Sequence, residues 1–223
     1  MSQSSSSEGK KRAVICCISY KGNKEEKEES VYNATFMKNL LETKYNFSDI
    51  LMLRDDETNS TSKIPTKINI LNAMEWLVKD CQQGDSLVFY YSDHGSQKKD
   101  MDGLETDDFD ETLCPLDYDT NGMITDDVIN ETIIRPLRFG VKLHAIIESS
   151  HSGTVLDLPF LCKMNRLGVI DLVIYHTTNK LLFSFNILLI NYFFLISLIF
   201  NKLIRLKPIK TISIRFWING PVR

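Results

Sequence analysis

Apolar and polar positions along the chain fall into blocks that alternate between a strand-like and a helix-like period. Ala13 to Ser19 is a short apolar run with β-branched residues and predicts a buried strand. Lys21 to Ser30 is charged and irregular, a surface loop. Val31 to Glu42 sets Val31, Ala34, Met37, Leu40 and Leu41 on one helical face. Asp49 to Leu53 reads as a second strand and Arg54 to Lys63 as a polar loop. Pro65 and Thr66 open a helix to about Asp80, with Ile70, Leu71, Met74, Leu77 and Val78 inward. Ser86 to Ser92 is a third strand. Asp100 to Gly122 is acidic with turn signals, a small hairpin, and Asp126 to Arg135 a short helix. Lys142 to Glu148 is a fourth strand, and Pro159 falls in a helical segment after it. Strand followed by helix, repeated, predicts an α/β fold: a mostly parallel sheet with helices on both faces.

The pattern breaks near residue 168. From Ile174 to Asn219 there is no Ala, Val, Asp, Glu or Gly. The codons of all five begin with guanine, and what replaces them is the residue set of AT-rich DNA. Two readings stand. The tail is translated non-coding DNA, such as a retained intron, or it is a membrane anchor. Leu181 to Phe200 is a 20-residue stretch without charge, long enough to span, with Lys180 before it and Lys202, Arg205, Lys207 and Lys210 after it. The chain therefore divides into a polar N-terminus (1–12), a folded domain (13–168) and an atypical apolar tail (169–223).

Composition narrows the class further. The 26 basic and 29 acidic residues give a net charge of -3, no electrostatic argument for a nucleic-acid partner. The five cysteines lie in or beside apolar runs without a repeating spacing, which fits reduced thiols and a cytoplasmic protein. Met1 to Arg12 has no apolar stretch, so it reads as no secretory signal. The chemistry gathers where two strands end. Ser92-Asp93-His94-Gly95 follows the third strand, and Glu148-Ser149-Ser150-His151-Ser152-Gly153 closes the fourth. In parallel sheets ligands and reactants meet at the carboxyl ends of strands. A histidine there can act as general base to a nucleophile on the neighbouring end, and backbone N–H groups near Gly95 and Gly153 can stabilise an oxyanion. The plain alternative is turn chemistry, since Gly and Ser are common in turns.

These residues carry a resemblance. Tyr91-Ser92-Asp93-His94-Gly95-Ser96 resembles the metacaspase histidine motif Tyr-Ser-Gly-His-Gly. Glu148-Ser149-Ser150-His151-Ser152-Gly153 resembles the family's nucleophile motif Asp-Ala-Cys-His-Ser-Gly. Asp107 to Pro115 resembles Asp-Gly-Tyr-Asp-Glu-Thr-Leu-Cys-Pro, and matches continue through Gly122 to Asp127, Val141 to His144 and Thr154 to Pro159. The likeness runs from about Lys11 to Arg166 and is nearest the plant type I branch. It implies a caspase-like fold, a calcium-dependent cysteine endopeptidase cleaving after Arg or Lys, and a small-subunit region whose place the tail takes.

The departures from the family pattern set the functional expectation. His94 keeps the general-base position, but Ser150 stands where the family has its cysteine. A thiol titrates near pKa 8.5 and a neighbouring imidazole can ionise it, whereas a serine hydroxyl needs an oriented base and strong oxyanion stabilisation. The resemblance places substrate-binding residues at Asn33, Ser92 and Glu148, with Asn33 for a family Asp and Glu148 for a family Asp. Asp93 replaces a glycine and brings a carboxylate and a Cβ to a tight turn. The family's four calcium aspartates map to Asp110, Asp126, Asp127 and Asp157, hard oxygen donors of the kind that calcium takes. From composition alone these are also a solvated acidic loop. Asp117, Asp119 and Asn121 imitate an EF-hand start, but Val128 stands at its twelfth position and Pro115 spoils the entering helix.

Three functions are open at this level. The chain is a degenerate metacaspase without useful peptidase activity, a calcium-binding regulatory pseudoprotease, or a weak serine-type peptidase using Ser150 and His94. Its partners are accordingly a peptide with a basic residue at the cleavage point, or a peptidase that it regulates. A membrane enters only through residues 181–200.

Overall fold

The computed structural model describes residues 9–20, 28–56, 60–99, 109–158, 160–164, 170–174 and 213–216. In chain order these form β1 (Lys11–Cys17), α1 (Glu28–Tyr45), β2 (Asp49–Arg54), α2 (Lys67–Val78), β3 (Ser86–Ser92), β4 (Gly95–Lys99) and β5 (Phe109–Leu113). There follow α3 (Tyr118–Asn121), β6 (Ile124–Thr125), α4 (Asp126–Ile129), β7 (Lys142–Glu148), β8 (Phe160–Met164), β9 (Ile170–Ile174) and β10 (Ser213–Phe216). A single 3-10 turn at Thr61–Lys63 precedes α2, and α4 runs on into a π-turn, Asn130–Ile134.

The central sheet has the order β10-β7-β3-β1-β2. β2, β1, β3 and β7 are mutually parallel. β1 shows how one strand serves two layers. Its Ala13, Ile15 and Cys17 pack with Ala34, Met37 and Leu41 of α1, while Val14 and Cys16 pack with Ile70, Met74 and Leu77 of α2 on the other face. Alternation at period two thus buries both faces under helices, and both cores are apolar because no face meets water. The α/β architecture read from the sequence is the architecture found.

Local signals account for the ends of α2. The Thr66 hydroxyl accepts the Asn69 N–H at 3.4 Å, an N-cap. The Arg12 guanidinium donates to Trp76 O at 3.2 Å and Lys79 O at 2.7 Å, and lies 5.6 Å from the Trp76 ring centre. A cation is thereby placed on the last, otherwise unpartnered carbonyls of the helix.

Three expectations change. The segment after Pro159, read as helical, is the strand β8, paired antiparallel with β9 from Phe160–Ile174 to Met164–Ile170. Its short apolar run satisfies either period, and the partner strand decides. The acidic hairpin begins earlier than residue 100, with β4 leaving directly from Gly95 to pair with β5. Within the C-terminal region read as foreign to the family, Ser213–Phe216 lies antiparallel on the outer edge of β7. The apolar stretch 181–200 lies outside the described residues, and among those residues no helix is long and apolar enough to cross a membrane. The EF-hand imitation resolves into a capping role. Asp117 Oδ1 accepts the Lys67 N–H at 2.7 Å and Oδ2 accepts Asn121 Nδ2–H at 2.8 Å.

Leu77, fully buried between α2 and the sheet, offers a test of the core. Leu77→Ala is expected to lower unfolding free energy by about 2–5 kcal/mol in denaturant titrations. Ile68→Ala, on the exposed face of the same helix, is expected to stay within about 0.5 kcal/mol.

Candidate active site

The parallel pairing of β3 with β7 puts Ser92 level with Glu148, so both strands end at the same height. The alignment continues past the strands: Asp93 N–H donates to Glu148 O at 3.2 Å. Beyond it the two loops touch. A Cβ built on Gly95 would run into the Ser150 carbonyl oxygen and come within 2.9 Å of Ser149 Oγ. Gly95 is therefore required by close approach: the loop that carries His94 packs backbone to backbone on the turn that carries Ser150. The turn itself is tight, with His151 at φ 54, and leaves Ser150 exposed. The hydroxyls on either side of it, Ser149 Oγ and Ser152 Oγ, are buried without a hydrogen-bond partner.

His94 is half-buried and has a neighbour that the sequence reading did not single out. The Tyr20 ring lies 5.5 Å from it at 44°. Tyr20 sits at φ 51, and its N–H donates to Asp55 Oδ2 at 2.7 Å, which anchors the chain just after β1. Its hydroxyl donates to Asp93 Oδ2 at 2.8 Å, and the Tyr91 hydroxyl lies 3.5 Å from the same oxygen. Burial first, then the neighbouring Asp93 carboxylate, push the Tyr20 hydroxyl pKa upward. The carboxylate that replaces the family glycine is thus almost fully buried and hydrogen-bonded, and its φ is not in the left-handed region. Tyr20 and Asp93 are 73 residues apart, and no local pattern signals the contact.

Asn33, Ser92 and Glu148 come together. Asn33 Nδ2 is 3.5 Å from Glu148 Oε2, and the Tyr90 hydroxyl donates to the same oxygen at 2.6 Å. Desolvation by burial raises the Glu148 pKa, and hydrogen bonds from Tyr90 and Ser92 pull it partly back. Asn33 comes from α1 and the others from β3 and the end of β7, so three elements supply one polar cluster beside the Ser150 turn.

On the far side of β5, ligand oxygens of Asp110, Asp126 and Asp127 lie within 4.8 Å of one another. Asp126 is almost completely buried; its two oxygens accept the N–H groups of Glu111 and Asp127, each at 3.0 Å. Three hard carboxylates packed this closely repel one another and match the donor set of calcium. Asp157 stands outside this group, on the turn after Ser150 at φ 43. The described cysteines Cys16, Cys17, Cys81 and Cys114 are free and buried, and burial raises the thiol pKa of Cys16 and Cys17.

Two parallel strand ends, one with histidine and one with a hydroxyl in a tight turn, fit a caspase-like α/β framework. Residues 11–159 match the family described as metacaspase, peptidase C14 domain. Metacaspase-1 of Arabidopsis thaliana is 57% identical over 162 residues, covering 72% of this chain and 44% of that protein. Metacaspase-2 of the same plant is 52% identical over 162 residues, 72% of this chain and 38% of that protein. Metacaspase-1 of Saccharomyces cerevisiae is 43% identical over 154 residues, 68% and 35% respectively. A Geobacter sulfurreducens protein of known crystal structure superposes with a TM-score of 0.50 at 25% identity, over 66% of this chain and 53% of that one. The chain belongs to the metacaspase family, and it spans less than half the length of these curated relatives.

Gly95→Ala must displace the Ser150 turn, and is expected to cost about 1–3 kcal/mol of stability in thermal or denaturant unfolding. Glu148 gives a pH signature. Its folded pKa is raised, so its contribution to stability is fully present below the ordinary carboxylate value and is lost as pH rises through the folded value. Thermal melts of Glu148→Gln should therefore gain on the parent chain as pH rises above the ordinary carboxylate value. A difference that does not vary with pH overturns the assignment.

Proposed function

We propose that this chain is a catalytically impaired metacaspase: a calcium-binding, caspase-type scaffold that recognises a peptide bearing Arg or Lys but hydrolyses it feebly. The observation that carries the reading is Ser150, exposed on the turn that packs against Gly95, beside His94. The residue presented there is an alcohol.

The proposed roles follow from the placement of each group. Glu148, when ionised, pairs with the basic side chain of the peptide, with Asn33 and Ser92 as polar neighbours. One aspartate fewer than the family pattern leaves this cluster with a single carboxylate among the three residues, which weakens its hold on a cation. His94 accepts the proton from the Ser150 hydroxyl, and its ring is held against Tyr20. Oxygen is a smaller atom than sulfur, so a turn set for a thiolate leaves the attack distance wrong; a misplacement near 1 Å costs roughly a hundredfold. The hydroxyl also lacks the low pKa that lets imidazole ionise a thiol. Asp110, Asp126 and Asp127 would hold calcium, with Asp157 as the fourth residue that the family pattern suggests. Bound calcium supplies positive charge that offsets the mutual repulsion of these carboxylates.

The test is turnover of an Arg-containing peptide in the presence of calcium by the parent chain, Ser150→Ala and Ser150→Cys. The parent is expected to match Ser150→Ala, and Ser150→Cys to exceed both by at least about a hundredfold. Strong cleavage by the parent that Ser150→Ala abolishes would establish a serine-type peptidase instead. Peptide binding with no cleavage by any of the three would point to a regulator of a separate peptidase.

A further inference from the structure

We infer that Tyr90 is a specificity-determining residue: by holding one oxygen of Glu148, it sets the cluster of Asn33, Ser92 and Glu148 to take the ammonium of a Lys side chain in preference to the forked guanidinium of Arg. This rests on the basic-peptide reading above and names which of the two bases the cluster accepts.

Tyr90 is fully buried on the face of β3 that packs under α1, among Ala34, Met37 and Leu41. Period two puts Ser92 on the same face, and the register with β7 brings Ile146 and Glu148 level with the pair. Glu148 is only half-buried, whereas Tyr90 and Ser92 beside it are closed off from water. The phenol donates to Glu148 Oε2 at 2.6 Å, and Asn33 Nδ2 stands 3.5 Å from the same oxygen. Ser92 adds a hydroxyl bond to the carboxylate. A phenol enclosed among apolar side chains has no water to turn to, so it keeps its acceptor. The family pattern has aspartate at position 148, and that shorter side chain would stop one bond short of the phenol. The hold on Oε2 is therefore a property of glutamate here.

A guanidinium binds best through two parallel N–H groups that use both oxygens of one carboxylate. With Oε2 taken by the phenol and faced by the Asn33 amide, the fork meets only one oxygen. An ammonium has three donors that separate acceptors can share. The cluster offers it Glu148 Oε1, the Ser92 oxygen and Asn33 Oδ1, which stays an acceptor because the amide turns its N–H to Glu148. The guanidinium is the more weakly hydrated of the two and the usual choice for an enclosed ion pair. A preference for Lys would not arise here without the hold on Oε2.

Fluorescent peptides identical except for Lys, Arg or citrulline, the uncharged isostere of Arg, test this by anisotropy. The full chain is used as the parent, Tyr90→Phe and Glu148→Asp, in mildly alkaline buffer that keeps the carboxylate ionised. The parent is expected to bind the Lys peptide about tenfold more tightly than the Arg peptide, and Tyr90→Phe to remove most of that ratio by tightening Arg. Glu148→Asp, which withdraws the carboxylate from an unaltered Tyr90, is expected to move the ratio the same way. An Arg preference in the parent, or a ratio that Tyr90→Phe leaves unchanged, overturns the role of Tyr90 and leaves the basic-peptide reading standing. A citrulline peptide bound as tightly as the charged two, or no peptide bound by the folded parent, overturns the basic-peptide reading and the inference with it.

Discussion

The pairing of β3 with β7 is the constraint on which the site depends. It is parallel and in register from Ser86–Lys142 to Ser92–Glu148, so two segments more than 50 residues apart in sequence end side by side. Several contacts that give the site its shape are consequences of that level ending. These include the Asp93 N–H to Glu148 O bond, the packing of Gly95 on the Ser150 turn, and the approach of Tyr90 to Glu148. A slip of one residue would turn every side chain of β7 to the other face and separate the loops. The apolar face of β7 forbids it: Leu143, Ala145 and Ile147 are all packed in the core.

Much of this was legible from residue pattern because the relevant information is local. Four strands announce themselves as apolar runs, and α2 carries its cap at Thr66 and its inward face at Ile70, Met74 and Leu77. The polar clusters at the ends of β3 and β7 could be placed near each other because parallel sheets end on one side. What escaped the pattern is set by distant partners. Tyr20 meets His94 and Asp93 across the sheet, and the role of Asp93 at its turn follows from that hydroxyl. Phe160–Met164 takes strand form because β9 offers it hydrogen bonds, a preference that its own short sequence does not encode.

The acidic group and the polar cluster with Glu148 illustrate two ways of keeping carboxylates inside a protein. Asp126 is buried with its charge met by backbone N–H groups, beside two further aspartates. Glu148 is met by one phenol, one hydroxyl and one distant amide, and burial dominates its titration. The first arrangement gathers negative charge at a point, which suits a divalent ion. The second leaves a single carboxylate whose ionisation is only partly supported, which suits pairing with an incoming cation more than standing alone.

The burial of the sulfur atoms has a practical consequence. Cys16, Cys17, Cys81 and Cys114 are all enclosed, so thiol reagents reach them only when the surrounding structure opens. A sulfhydryl introduced at the exposed position 150 would be the sole accessible one among the described side chains. It would accept a fluorophore or spin label while the native chain stayed folded, and the slower labelling of the buried four would serve as an internal clock for opening of the sheet.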